Sequence, residues 1–228
     1  MAQLAVVIPA WNERPNLEAL LPQVRRTLEE IGVEAEIIVA DAGSADGTAE
    51  AVRALGARVV VQHERGYGGA LLAGFDEATA PYVVTMDADL SHPPTFIRDF
   101  WRRREDAELL IASRFVPGGR AETSGFRLLL SRILNGTFRA LLRLPVRDLS
   151  SGYRFYRRDM VKGLAPAARD FDFLQEVLIR LYNNGARVLE IPFHYRPRGA
   201  GRSHARLLRF GWAYAKTLLR MWRLRHGR

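Results

Sequence analysis

The chain has 228 residues, 48% of them hydrophobic, with no cysteine and a formal net charge of +9. That length and apolar content suit one large α/β domain with a full core, and the missing thiols exclude disulfides and thiolate metal sites, leaving oxygen or imidazole ligands for any metal. The charge is local: ten Lys or Arg and no acidic residue follow Glu190, while the rest carries 24 basic against 25 acidic residues, so the tail is the part suited to an anionic surface.

In chain order, residues 4–8 form a short apolar run ended by Pro9, and 16–31 carry helical spacing through Leu17, Leu20, Leu21, Val24 and Leu28. Runs at 36–40, 58–61, 82–86 and 109–112 then alternate with helical patterns at 47–55, 69–78 and 94–104. Strands alternating with helices predict a mostly parallel sheet covered on both faces. Beyond it, 126–144 read as an apolar helix, 148–156 as loop and strand, 172–183 as a helix, 187–191 as a strand, 197–203 as a Gly- and Arg-rich loop, and 205–224 as a final helix. No run of about 18 apolar residues occurs, so no transmembrane helix is expected. The start of the chain leads straight into an apolar run, so no secretory leader is expected.

Open parallel sheets bind ligands beyond the carboxyl ends of their strands. That rule points to residues 9–13, 41–47, 63–69, 87–92 and 113–119. The strongest motif is Asp87-Ala88-Asp89, directly after the run 82–86. Two carboxylates two residues apart off a strand end can share one hard cation with diphosphate oxygens; the bland alternative is a solvated turn. Asp41 can accept hydrogen bonds from a base or ribose, whereas Asp46 and Thr48 read better as helix caps. Trp11 can flank a nucleobase and Glu13 can bond its edge, because a large aromatic in a strand-end loop wants a partner. The glycine-rich segment Arg65-Gly66-Tyr67-Gly68-Gly69-Ala70 before a helix could suggest phosphate binding, but it lacks the Walker lysine and the full dinucleotide fingerprint, and it reads equally as a turn starting a helix beside the strand-end site. His63, His194 and His226 show no metal-ligand spacing.

Ile8-Pro9-Ala10-Trp11-Asn12-Glu13, the segment from Asp41 to Thr48, Asp87-Ala88-Asp89-Leu90-Ser91-His92-Pro93 and Ser113-Arg114-Phe115 together resemble the GT-A family 2 glycosyltransferases, most of all the dolichyl (polyprenyl) phosphate mannose synthases. Asp148-Leu149-Ser150-Ser151-Gly152-Tyr153-Arg154 and Arg198-Gly199-Ala200-Gly201-Arg202-Ser203 extend the likeness over nearly the whole chain. The resemblance implies a GT-A, Rossmann-like α/β fold and a nucleotide-sugar donor held by Pro9, Trp11, Glu13, Ala40, Asp41 and Ala88. It places Mg²⁺ or Mn²⁺ at Asp87, Asp89 and Ser91, makes Asp89, Arg114 and Arg127 the catalytic set, and puts phosphates on Arg114, Arg127, Arg198 and His204. Three departures stand out. Trp11 replaces a usual tyrosine, Ala42 a frequent acidic residue, and His204 a lysine, which makes one phosphate contact pH-sensitive.

The implied reaction moves a hexose, with mannose from GDP-mannose as the leading reading, to a polyprenyl or dolichyl phosphate with inversion. An acceptor phosphate is already anionic and needs no general base, but it does need arginines, whose bidentate forks keep their charge. Glu176 is the candidate if a base is required; its alternative is a pair with Arg180 one turn on. A UDP-sugar donor is the first rival reading. A non-enzymatic basic module for membrane or nucleic acid is the second, and nucleic acid is not the expected partner. In the last helix Arg206, Arg209, Lys216, Arg220 and Arg223 share one stripe, opposite Leu207, Phe210, Tyr214, Leu218, Met221 and Trp222. That pattern predicts a catalytic domain over 1–204 and a basic amphipathic helix over 205–228 lying on an anionic membrane surface, cytoplasmic and peripheral on its inner face. The alternative is a helix that packs its apolar arc on the core. Oligomeric state is not legible.

Overall fold

A computed structural model of the chain describes residues 1–122, 125–170, 172–195 and 210–227, with backbone alone at 126, 127 and 210–215. The apolar runs become β1 (Leu4–Ala10), β2 (Ala35–Asp41), β3 (Arg58–Val61), β4 (Tyr82–Thr85) and β5 (Leu109–Ser113). Between them lie α1 (Arg14–Glu30), α2 (Thr48–Ala54), α3 (Tyr67–Glu77) and, after a 3-10 turn at Pro94–Phe96, α4 (Ile97–Arg102). Strands β3, β2, β1 and β4 are parallel neighbours in that order. Every residue from Leu4 to Ile8 is fully buried, because helices cover both faces and leave no solvent side for alternation to mark. On one face α1 packs Leu17, Leu20, Leu21 and Val24 against Val6 and Ile8; on the other, Leu71 and Phe75 of α3 meet Ala5 and Val7.

The second half adds β6 (Arg120–Ala121), α5 (Gly125–Leu142), β7 (Arg154–Arg157), α6 (Arg158–Val161), α7 (Phe173–Asn183), β8 (Val188–Pro192), β9 (His194–Tyr195) and α8 (Phe210–His226). Seven strands form one sheet in the order β3-β2-β1-β4-β7-β5-β8, and β7 runs antiparallel to both neighbours. This reversal carries the loop before β7 to the carboxyl ends of β4 and β5, where the parallel strands end. A short parallel pair, β6 with β9, sits apart from the main sheet and has too few residues to show a period. The mostly parallel, helix-flanked α/β architecture is the one expected from the sequence. No helix of the described residues is long and apolar enough to cross a membrane.

The described half of α8 divides the arc expected to lie on a membrane. Met221 is fully buried, and Leu218 and Leu224 pack on the core cluster that holds Phe138, Leu142, Val177 and Leu181. Arg220, assigned to a solvated cationic stripe, donates to Asp172 at 2.5 Å, and Arg225 donates to the carbonyl of Leu142 and to Asn183. Of the described apolar residues of α8, only Leu219 and Trp222 remain exposed, at 50% and 46%. An amphipathic pattern says which face is apolar; here α5 and α7 cover part of it. Residues 205–209, where the helix was expected to start, lie outside the described residues. Met221→Ala is therefore expected to lower unfolding free energy by about 2–4 kcal/mol, as for a buried methionine. A urea melt reads this directly, and an unchanged midpoint would mean that α8 contributes nothing to the core.

Candidate active site

The loops after β1 and β2 are fastened to each other. Asn12 accepts from Ala45 N–H through Oδ1 at 2.9 Å, and its own N–H donates to Ser44 Oγ at 2.8 Å. Asp41 accepts from Ser44 N–H and Oγ, so this carboxylate holds its own loop closed. Asp46 accepts from the N–H of Thr48, the first residue of α2, and from the N–H of Arg14, the first residue of α1. One carboxylate thus caps two helices, which bears out the capping reading of Asp46. Burial works against its ionisation, but the Thr48 hydroxyl and the two N–H donors hold its pKa below the ordinary carboxylate value. Above this paired floor Trp11 stands 51% exposed, beside Pro9 and Glu13, and Glu13 accepts from Asn16 Nδ2 at 2.6 Å.

Next to it, at the end of β4, lies the paired-carboxylate loop. Asp89 is buried at 5% exposure and accepts from Ser91 N–H at 3.1 Å, while Asp87 is partly open. Leu90, between Asp89 and Ser91, holds φ at 65°, and Asn12 in the first loop holds 55°. Side chains rarely adopt that left-handed region, and such strain gathers at functional loops. His92 is buried, stacks on Tyr153 at 4.7 Å and accepts the Asp87 N–H through Nδ1 at 2.9 Å. Burial keeps its pKa below the usual imidazole value, against the pull of Asp87 and Asp89, so the ring is neutral and its Nε2–H faces Asp87 Oδ2 at 3.8 Å. Tyr67 donates to the other oxygen, Asp87 Oδ1, at 3.2 Å.

The residues present fit a divalent cation. Asp87 and Asp89 project from one strand end, and the hydroxyl of Ser91 is buried beside them with no hydrogen-bond partner among the described residues. A buried hydroxyl left unpaired is costly unless something else completes it. No group of three or more His, Cys, Asp or Glu among the described residues could hold a metal alone. A cation held here would need further oxygens, which water or a bound diphosphate can supply.

Arg114, at the end of β5, is committed to Asp148. Its Nε and Nη2 form a two-point ion pair with the carboxylate at 2.7 Å each, its N–H donates to the same group, and Nη2 also reaches Ser150 Oγ at 2.8 Å. Asp148 is fully buried; burial opposes its charge, but Arg114 prevails and holds its pKa below the ordinary value. Tyr195 and Phe115 lie beside the guanidinium at 5.7 and 5.2 Å. Ala40 and Ala88 are buried at the ends of β2 and β4. Thus Pro9, Trp11, Glu13, Ala40, Asp41, Asp87, Ala88, Asp89, Ser91 and Arg114 all lie at the carboxyl edge of the sheet. Arg198 and His204 lie outside the described residues, as does the side chain of Arg127. The sequence reading overlooked Tyr67 and His92 as partners of Asp87; their signal was the loop that holds each one. Glu176 is a strut: it accepts from the N–H groups of Ala167 and Ala168 and from Arg180, leaving it no place as a base.

Asp148→Asn should cost about 3–5 kcal/mol of stability, because it leaves a largely buried Arg114 without its counter-charge. The folded pKa of Asp148 is depressed, so its contribution is present above the unfolded value of about 4 and is lost as pH falls through the lower folded value. Urea midpoints from about pH 7 to pH 3 should converge between wild type and variant at the acid end. A constant gap would refute this role.

The family model for glycosyl transferase family 2 matches residues 5–164. A dolichol-phosphate mannosyltransferase of Pyrococcus furiosus is 33% identical over 210 residues, covering 88% of this chain and 58% of that protein, so the chain spans little more than half its length. A polyprenol monophosphomannose synthase of Mycolicibacterium smegmatis is 35% identical over 211 residues, covering 86% of this chain and 78% of the relative. Glucosyl-3-phosphoglycerate synthase of Mycobacterium tuberculosis, solved with Mn²⁺, UDP-glucose and phosphoglyceric acid, superposes with a TM-score of 0.76 at 24% identity over 97% of this chain and 80% of that one. That likeness speaks for the fold; the family match and the sequence relatives establish that the chain belongs to glycosyl transferase family 2.

Proposed function

We propose that this protein transfers mannose from GDP-mannose to a polyprenyl phosphate with inversion at the anomeric carbon. The observation that carries the donor half is the Asp87–Asp89 pair beside the unpartnered Ser91 hydroxyl, at the foot of two interlocked nucleotide-side loops. The choice of mannose and lipid phosphate draws on the two sequence relatives, whose names carry both. A bound Mg²⁺ or Mn²⁺ neutralises charge on the departing diphosphate; Asp87, Asp89 and Ser91 would hold it. Trp11 offers a face for the base, and the Asp41 and Asp46 hydrogen bonds keep the loop rigid beneath it. No protein base is required, since the acceptor oxygen is already anionic, and Glu176 is fully engaged elsewhere. The remaining task is to gather two anionic substrates, for which the reading assigns Arg114, Arg127, Arg198 and His204.

A lipid acceptor has to be met at a bilayer, and the surface supports a peripheral reading. On α5, Leu129, Ile133 and Leu141 are exposed at 56%, 54% and 46%. Arg132, Arg139 and Arg143 are exposed among them, and no acidic residue occurs from 123 to 147. Leu219 and Trp222 of the adjoining α8 are exposed too. Apolar side chains ringed by cations are the pattern of a segment lying in a headgroup layer. The membrane contact assigned to residues 205–228 alone thus extends to α5.

Two measurements test these readings. Asp89→Asn should lower transfer by roughly three orders of magnitude, the effect of losing several kcal/mol of charge stabilisation. It should be assayed with polyprenyl phosphate, Mn²⁺ and either GDP-mannose or UDP-glucose; turnover with the uridine donor alone would overturn the guanosine assignment. The double variant Leu129→Ser, Ile133→Ser should sediment with anionic vesicles at least about tenfold more weakly, while its melting temperature stays put because both side chains are exposed. Unchanged sedimentation would remove α5 from the membrane surface.

A further inference from the structure

Tyr67 opens α3, and the residues around it are shaped to let it reach across the site. Gly66 holds φ at 91°, and a Cβ there would come within 2.3 Å of the Arg169 carbonyl. A Cβ on Gly68 would strike the Phe173 ring at 2.6 Å, and one on Gly69 the Glu64 carbonyl at 1.9 Å. Gly68 N–H donates to the Arg169 carbonyl at 2.7 Å. The turn is thus pressed onto the segment before α7 at a distance only glycine permits. From there the phenol extends to Asp87 Oδ1. On its far side stands Gly152, whose Cβ would lie 2.5 Å from the Tyr67 hydroxyl and 3.5 Å from Asp87 Oδ1. Gly152 is itself fixed, since its carbonyl accepts from Thr85 Oγ1 at 2.8 Å. A plain helix start needs none of these close approaches from three separate stretches of chain.

We propose that Tyr67 is a positioning residue for transfer: its hydroxyl fixes the Asp87 carboxylate by one oxygen, so that the other is presented ready for the divalent cation. This rests on the reading of Asp87 as a cation ligand. Hydrogen-bond partners of a metal-binding carboxylate set its orientation, and their loss typically weakens metal affinity about 10- to 100-fold. A free carboxylate would have to be ordered at each binding event; the glycine-lined turn does that ordering in advance.

Tyr67→Phe removes the hydroxyl and keeps the ring. Titration of Mn²⁺ in the presence of GDP, read by electron paramagnetic resonance, should show at least about tenfold weaker binding with an unchanged melting temperature. Transfer should recover towards the wild-type rate when Mn²⁺ is raised to saturation. Gly152→Ala, which would push the phenol away from Asp87, should weaken Mn²⁺ binding alone but add little in the Tyr67→Phe background, since both act through one hydrogen bond. Unchanged Mn²⁺ affinity in Tyr67→Phe would overturn the proposal, as would additive losses in the double variant. Asp87→Asn serves as the reference: if it leaves Mn²⁺ affinity intact, the cation reading itself fails and takes this proposal with it.

Discussion

Arg154 is the bulkiest fully buried side chain among the described residues, and its guanidinium donates to three carbonyls: Leu149 at 2.7 Å, Ser151 at 2.8 Å and Leu174 at 2.8 Å. A charge in the interior is tolerable only when its donors are spent. Here they are spent on the loop before β7 and on α7. Because β7 is antiparallel to β4 and β5, that loop emerges where their carboxyl ends stop. Everything distinctive about the site follows from this placement. Asp148 meets Arg114, Gly152 lies against Tyr67 and Asp87, and Tyr153 stacks on His92. A parallel strand in the same slot would have delivered its amino end to the opposite edge of the sheet.

The nucleotide side is built differently. Asp46 and Asn12 join two loops that are far apart in sequence, so the end of β1 cannot shift without that of β2. Asp46 closes the first turns of both following helices, and Asn12, a residue type that tolerates the left-handed region better than most, holds a positive φ while its side chain reaches across to Ala45. The result is a rigid floor with one large aromatic left standing on it. Rigidity on the donor side and a reoriented strand on the carboxylate side meet at Asp87, where Tyr67 and His92 approach the carboxylate from different elements.

Much of this was legible beforehand. Five short apolar runs read as strands, buried on both faces in β1 and β5 though not in the edge strand β3, and the strand-end rule pointed to the loops of Trp11, Asp41, Asp87, Asp89 and Arg114 without any coordinates. The reversal of β7 was not legible, because periodicity has no direction. Nor was Tyr67: its segment resembled a phosphate loop, whereas its glycines serve packing against Arg169 and Phe173. The tail misled in part for the reason that amphipathicity is symmetric between two partners. A stripe of Leu218 and Met221 looks the same whether lipid or α5 and α7 cover it, and the carboxylate of Asp172 that receives Arg220 lies 48 residues away.

The net positive charge therefore has to be divided before it explains anything. Arg154 and Arg114 are consumed by the fold, and Arg220 bonds Asp172, so none of the three is available at no cost to a phosphate. A phosphate that displaced Asp148 from Arg114 would leave a fully buried carboxylate without its partner, a loss of several kcal/mol against one new exposed pair. The favourable arrangement keeps Asp148 in place, so that Arg114 presents only what its Nε and Nη2 do not already use. Under the proposed function, most of the grip on two anionic substrates then falls to arginines outside this pair. Those on α5 sit in a stretch with no acidic residue to neutralise them, next to the exposed leucines and isoleucine. On the proposed reading, one helix carries both the cations and the exposed apolar side chains that an anionic lipid surface would meet.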